Sequence, residues 1–244
     1  MGGPRESDTL AAAKRRTSAD RAGADVFGRL ATELHDAEGV ENTVEAVVQF
    51  ALSALQCSYA GIALIGSTRR PEVVALTHPQ VASFYQLQID AGEGPVITAI
   101  QEGSVVVVTD VAGDTRWSSA WRTRLRDAGI RSVVHVPLLA GGRVAAVLSL
   151  FSQLPDAFDA DDLAVAHILA EHASVAIATA RQEAALLQAI DARKLIGQAM
   201  GIVMERYDLD ADRAFEVLKR YSQQSNRKLR DVAQELIDTR RLPG

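Results

Sequence analysis

At 244 residues, 48% of them apolar, the chain is long enough for two domains with cores of their own and too apolar to be disordered throughout. Its one cysteine, Cys57, excludes an intramolecular disulfide and a cysteine-rich zinc site. The formal net charge is -5, yet residues 191–244 carry 11 Lys+Arg against 9 Asp+Glu, which leaves 15 against 22 for the rest of the chain. The two ends therefore face different electrostatic tasks.

Residues 1–24 lack the apolar stretch of a secretory signal, and Glu6 stands where a myristoylation motif wants Ser or Thr. A disordered start is expected there. No apolar run approaches the roughly 20 residues of a membrane span, so a cytoplasmic location without a membrane partner is expected.

Helices are predicted over residues 26–34 and 39–55, the second from the spacing of Val44, Val47, Val48, Ala51, Leu52 and Leu55. Five β-rich runs follow: YAGIALI, EVVAL, SVVVVTD, RSVVHVPLL and RVAAVLSLF. Turn chemistry separates them, and the Gly141–Gly142 pair marks a hairpin between the last two. Asp159 or Asp161 then caps a long helix beginning near Leu163. This order predicts an α+β layer fold, an antiparallel sheet covered on one face.

Among residues that could bear chemistry here, Cys57 reads best as a small buried hydrophobe. His135 lies on a strand where Val134 and Val136 point the other way; it either lines a pocket or is a hydrogen-bonded core histidine, the second being preferred. Trp117 and Trp121 either lid the same pocket or pack. Gly92 and Gly94 suit a tight turn, since no Lys-Ser/Thr pair follows them as in a phosphate loop. His167 and His172 are off the four-residue spacing of a helical metal pair, and no metal is expected. There is no Gly-x-Ser-x-Gly elbow, P-loop or His-Glu-x-x-His, and no carboxylate spacing singles out an acid–base pair. A protein without catalysis or cofactor is expected.

The stretch from residue 26 to residue 180 resembles a GAF domain. The resemblance rests on DAGEGP at residues 90–95, VVTDVAGDTRW ending at Trp117, and GIRSVVHVPLLAGGRVAAVLSLFS. It implies a unit that senses a small molecule between sheet and covering loops, or one that only dimerises.

Residues 161–206 hold no proline, and no glycine before Gly197. Alanine, the best helix former, is abundant. Leu169, Ala173, Ala176, Ala180, Leu187 and Ile190 recur near heptad spacing, with Glu183 interrupting. Two readings stand: two helices with a break near Gln188, or a helix of about 65 Å that pairs two chains as a coiled coil. The second is preferred.

Three helices are predicted behind it. The first ends near Tyr207, with Ile196, Met200, Val203 and Tyr207 on one face, and Gly197 and Gly201 four apart to admit another helix closely. Asp210 caps the second, which buries Ala214, Leu218 and Tyr221. Asn226 caps the third, with a buried stripe at Leu229, Val232, Ala233, Leu236 and Ile237. On the third helix Arg227, Arg230 and Gln234 form a basic edge beside an acidic edge of Asp231, Glu235 and Asp238. Helical spacing pairs Arg227 with Asp231 and Arg220 with Glu216. Lys219, Lys228 and Arg230 have no acid at that spacing and are the stronger candidates for phosphate or base contacts.

IGQAMGIVMERY, DADRAFEVLKRYS and SNRKLRDVA together resemble an ANTAR domain over residues 193–239. Met200 stands where some relatives carry Lys. The resemblance implies a dimer that binds paired RNA stem-loops in a leader transcript and favours an RNA structure competing with a terminator. Loop bases are the readable part of such RNA, because the A-form major groove is too deep and narrow for side chains. The candidate RNA contacts are Lys194, Lys219, Arg220, Ser222, Gln223, Asn226, Arg227, Lys228 and Arg230.

The sequence thus predicts an antiparallel-sheet GAF-like domain joined by a long coiled-coil helix to an all-α three-helix ANTAR-like module. The divisions are residues 1–24, 25–180, a helical linker 181–192, and 193–241. The expected function is transcription antitermination by a homodimer that binds RNA stem-loops, with a first domain that either takes an unknown small molecule as its ligand or only sets dimer geometry. The alternatives are a DNA-binding helix-turn-helix regulator and a protein-interaction scaffold.

Overall fold

The computed structural model describes residues 28, 32–34, 36–55, 57–66 and 69–241. The expected disordered start, residues 1–24, lies outside them, as does most of the helix predicted over 26–34, of which Gly28, Thr32, Glu33 and Leu34 are described and helical. The chain divides into two compact units, one ending at Arg181 and one beginning at Gln182.

The first unit is built on an antiparallel sheet ordered β2-β1-β5-β4-β3. Its strands are β1 (Tyr59–Ile65), β2 (Pro71–Leu76), β3 (Val106–Val108), β4 (Ser132–Ala140) and β5 (Arg143–Ser152). The predicted runs fall on these strands, although SVVVVTD yields three strand residues. Gly141 and Gly142, both with positive φ, turn the hairpin between β4 and β5.

One face of the sheet packs against α1 (Gly39–Ala54) and the first part of α5 (Ala160–Tyr207). Ile62, Val136, Leu148 and Leu150 meet Val44, Val47, Val48 and Ala51 of α1 and Leu169, Ala173 and Ile177 of α5. The opposite face is covered too, which corrects the expectation of one covered face. There α2 (Gln80–Ala91), α3 (Pro95–Glu102) and α4 (Ser119–Asp127) lay Val81, Phe84, Tyr85, Val96, Trp121 and Leu125 against Val133 and Phe151. Burial on both faces accounts for the near-continuous apolar strand SVVHVPLL, seven of whose residues are buried.

The DAGEGP stretch joins α2 to α3. Gly92 ends α2 in the left-handed region (φ 66), and Gly94 enters α3 at φ 131, a conformation open to glycine. No side chain at the cap position satisfies the first turn of α3. The buried Gln88 does so instead: its Oε1 accepts from Val96 N at 2.8 Å while its Nε2 donates to Phe84 O at 2.8 Å. The two glycines therefore serve a turn.

Helix α5 is continuous through Gln188, which removes the two-helix alternative. By length and composition it is the one described helix that could cross a bilayer, but Leu169, Ala170, Ala173 and Ile177 are buried against the sheet's core. The stretch Leu169–Ala173–Ala176 therefore faces the sheet within the chain, and its near-heptad spacing is not evidence of a pairing face. Ile168 and Val175 of the same helix are exposed, and so are Leu186, Leu187 and Ile190 in the second unit.

In the second unit the end of α5 packs with α6 (Ala211–Ser225) and α7 (Leu229–Thr239) around Ala199, Val203, Ala214, Leu218, Val232, Ala233 and Leu236. Asp210 Oδ1 accepts from Arg213 N at 2.8 Å, the expected N-cap. Arg206 Nη1 donates to the Arg240 carbonyl at 2.6 Å and so ties the end of α5 to the end of α7. Gly197 and Gly201 are exposed, and a Cβ at either would meet nothing within 4 Å. Among the described residues no helix makes the close approach they allow.

Candidate functional site

The turn between α6 and α7 places the C-terminal cations. Asn226 adopts the left-handed conformation (φ 52) and closes α6; its N–H bonds Gln223 O at 3.3 Å and Arg227 N–H bonds Ser222 O at 3.1 Å. This is a Schellman ending, which asparagine tolerates because its short polar side chain relieves the left-handed cost. Asn226 therefore ends the second helix and does not cap the third, a correction to the sequence reading. Ser222 Oγ donates to Arg227 O at 2.6 Å and braces the turn, so its hydroxyl is committed to the fold.

Lys228 occupies the N-cap position of α7, and no side chain caps that helix. Its first N–H groups are open to an anion, favoured by the positive end of the helix dipole. Arg227, Lys228 and Arg230 stand within one turn of this point, and all are exposed.

The ion pairs differ from those that helical spacing predicts. Arg227 pairs with Glu235 and not with Asp231. Arg230 pairs with its neighbour Asp231 at 3.1 Å, and Lys219 pairs with Glu216 at 3.0 Å, both at spacings other than the i,i+4 at which neither has an acid. Glu216 is thereby taken from Arg220. Among the described residues Arg220, Lys228 and, on α5, Lys194 have no ion pair; Gln223 is exposed on the same turn as Arg220. The candidate contacts thus separate into free cations (Lys194, Arg220, Lys228) and cations already neutralised by a partner (Lys219, Arg227, Arg230). Pairs at the surface are worth little and exchange readily for a phosphate.

In the first unit the three candidate pocket residues do not line one cavity. His135 is fully buried, with Nδ1 2.7 Å from Ser149 Oγ, as a core histidine. Trp121 is buried in the layer formed by α2, α3 and α4. Trp117 packs edge-on against Trp121 at 5.9 Å, donates Nε1 to Thr98 Oγ1 at 3.1 Å, and carries the Arg116 guanidinium 4.3 Å above its ring. Arg116 is held in turn by Asp114 at 2.6 Å. Partial burial pushes the Asp114 carboxyl upward, but the Arg116 contacts outweigh it and hold the group below its ordinary value. Burial pushes the Cys57 thiol up to about 11, so it stays protonated at neutral pH.

Two residues that sequence reasoning passed over belong with His135. Ser149 pairs with His135 across β4 and β5 and with Gly61 across β1 and β5. Tyr85 lies over Gly61, where a Cβ would come within 3.0 Å of Tyr85 Cε2. The signal available was Gly61 inside an otherwise apolar strand, a mark of close approach.

Residues 37–178 match the GAF domain family and residues 184–237 match the ANTAR domain. No curated protein matches the chain. Among solved structures, the GAF domain from a phosphoenolpyruvate-protein phosphotransferase of Coxiella burnetii is 16% identical, covers 67% of this chain and 96% of its own, and superposes with a TM-score of 0.55. The corresponding Acinetobacter GAF domain is 16% identical over 67% of this chain and 97% of its own, with a TM-score of 0.54. Free methionine-R-sulfoxide reductase from Neisseria meningitidis is 20% identical over 66% of this chain and 91% of its own, with a TM-score of 0.52. At these identities the likeness is one of fold.

Proposed function

The chain belongs to the GAF domain family and carries an ANTAR domain behind it, and from that premise we propose that it is a transcription antitermination regulator. ANTAR domains bind RNA and GAF domains are sensory, so the general kind of function, RNA-linked signal transduction, follows from the two matches. The finer reading is that a cytoplasmic, non-catalytic homodimer binds paired stem-loops in a nascent transcript, under control of its sheet domain.

The observation that carries this reading is the uncapped start of α7 with Lys228 at its N-cap position, joined by the exposed Arg220 on the preceding helix α6, neither cation holding an acid among the described residues. Open backbone N–H groups and unpaired cations together suit phosphate. Gln223 and the exchangeable Arg227 and Arg230 add groups that can reach unstacked loop bases, where RNA is read.

Mobility-shift titration of the full chain tests it, with a tandem stem-loop RNA, the same RNA with its loops scrambled, and duplex DNA of equal length. Tightest binding to the intact stem-loops, with a steep salt dependence, is the expected result. Preference for the duplex would instead make it a helix-turn-helix DNA binder. Absence of binding to all three at low salt would leave a protein-interaction module.

A further inference from the structure

At the turn end of the sheet, a cleft of about 930 Å³ opens between α3, the ends of β1 and β4, and the starts of β2 and β5. Its size lies within the range of small-molecule sites. Its apolar lining comes from Ile65, Ile97, Ile100, Leu139 and Val144. Leu139 is 48% exposed, a large apolar side chain left in solvent at the end of a strand whose other large apolar members are buried.

Arg69 and Arg143 also line the cleft. Neither has a hydrogen bond or ion pair from its guanidinium among the described residues, whereas Arg70, next to Arg69, is paired with Asp90 at 3.2 Å. Glu102 is the one carboxylate of the lining, and its Oε2 accepts from Ser104 Oγ at 3.2 Å. Two guanidiniums against one carboxylate leave the cleft net positive. Helix α3 turns its C-terminal end, Gln101 to Gly103, to the same space. That end of a helix carries partial negative charge and opposes any anion, the more so one with several charges, so recognition of a single carboxylate falls to the two guanidiniums. Guanidinium forks match the planar carboxylate.

We propose that this cleft is the ligand site of the sheet domain and that its ligand is a small monocarboxylate with an apolar body, the carboxylate taken by Arg69 and Arg143 and the body laid on Ile97, Ile100, Leu139 and Val144. The inference rests on the sensory reading of the GAF domain and not on RNA binding. Its readout is binding to the chain itself, so either proposal can fail without the other.

Calorimetric titration of the full chain with octanoate tests it, with 1-octanol and inorganic phosphate as comparators and Arg69→Gln/Arg143→Gln as the variant. Both arginines are exposed, so the variant keeps the fold, which an unchanged unfolding midpoint checks. Saturable octanoate binding is expected, weakened by about tenfold or more in the variant and by as much when 1-octanol replaces octanoate. Equal affinity for octanol, equal affinity for phosphate, an unaltered variant, or no saturation by about 10 mM octanoate would each overturn the assignment.

Discussion

His135 Nδ1 lies 2.7 Å from Ser149 Oγ in the middle of the sheet, and the other ring nitrogen, Nε2, has no partner among the described residues. The ring is fully buried, and burial alone pulls its pKa down to about 3 from 6.5. A neutral imidazole is thus built into the core.

That depression makes stability depend on pH with a definite sign. Between pH 6.5 and about 3 the unfolded chain binds a proton at His135 that the folded chain refuses, so stability falls as pH falls through that window. The slope from this group is about 1.4 kcal/mol per pH unit. Urea unfolding of the wild type and of His135→Gln between pH 6.5 and 4.5 measures it. The glutamine keeps a polar group near Ser149 without a titration, and its curve should be flatter by about that slope. Parallel curves would show that the folded protein admits the proton.

The Tyr85 hydroxyl is a second buried polar group in the same layer. It lies beside Ser149 without completing a hydrogen bond, and burial raises its pKa above the ordinary phenol value. An unpaired buried hydroxyl costs about 1–3 kcal/mol of desolvation. Tyr85→Phe removes it and keeps the ring packed 6.3 Å from Phe151. The expected result is a gain of about 1 kcal/mol in denaturant unfolding. A loss of similar size would mean that the hydroxyl has a partner in solution.

Local periodicity made much of this fold legible and also set its limits. Helix α1 announced itself by its apolar spacing, and the β4–β5 hairpin by Gly141–Gly142 between two apolar runs. Helix α4 did not, because SAWRTRLRD buries Trp121 and Leu125 alone, and its arginines mask the pattern. The sheet's second covered face was nonetheless written in SVVHVPLL, a run with no polar side to offer water. The ion pairs were misjudged for a different reason. Spacing rules hold inside one helix, and Arg227 stands before α7, at a turn that lets it reach Glu235 eight positions on. Asn226 looked like a cap by residue type and proved to be a left-handed ending, a distinction that lies in backbone conformation.

Those pairings rank the cations of the second unit. Arg220→Ala with Lys228→Ala removes two unneutralised charges and no ion pair, so the fold should be unaffected while stem-loop affinity falls by about tenfold or more. The slope of log affinity against log salt should become shallower by about 0.7 for each phosphate that the variant no longer neutralises. Arg227→Ala is the contrast, since Glu235 already neutralises that charge, and it should cost less. The ranking fails if Arg227→Ala weakens binding more than the double variant does.

The last prediction concerns pairing of chains. Leu186 and Leu187 are 62% and 63% exposed and Ile190 is 51% exposed, on a stretch of α5 where every residue from Ala185 to Asp191 is exposed. Aliphatic side chains repeated at helical spacing on a bare helix are stable in water when another helix covers them. A second copy supplies the same face by symmetry. Leu186→Glu with Ile190→Glu places two carboxylates on that face, where a twofold partner would bring like charges together; Lys194, four residues beyond Ile190, can relieve at most one of them. Sedimentation at micromolar concentration should give a dimer for the wild type and a monomer for the variant, with the far-UV helical signal largely kept. A wild-type monomer, or a variant that still dimerises, would move the pairing surface elsewhere.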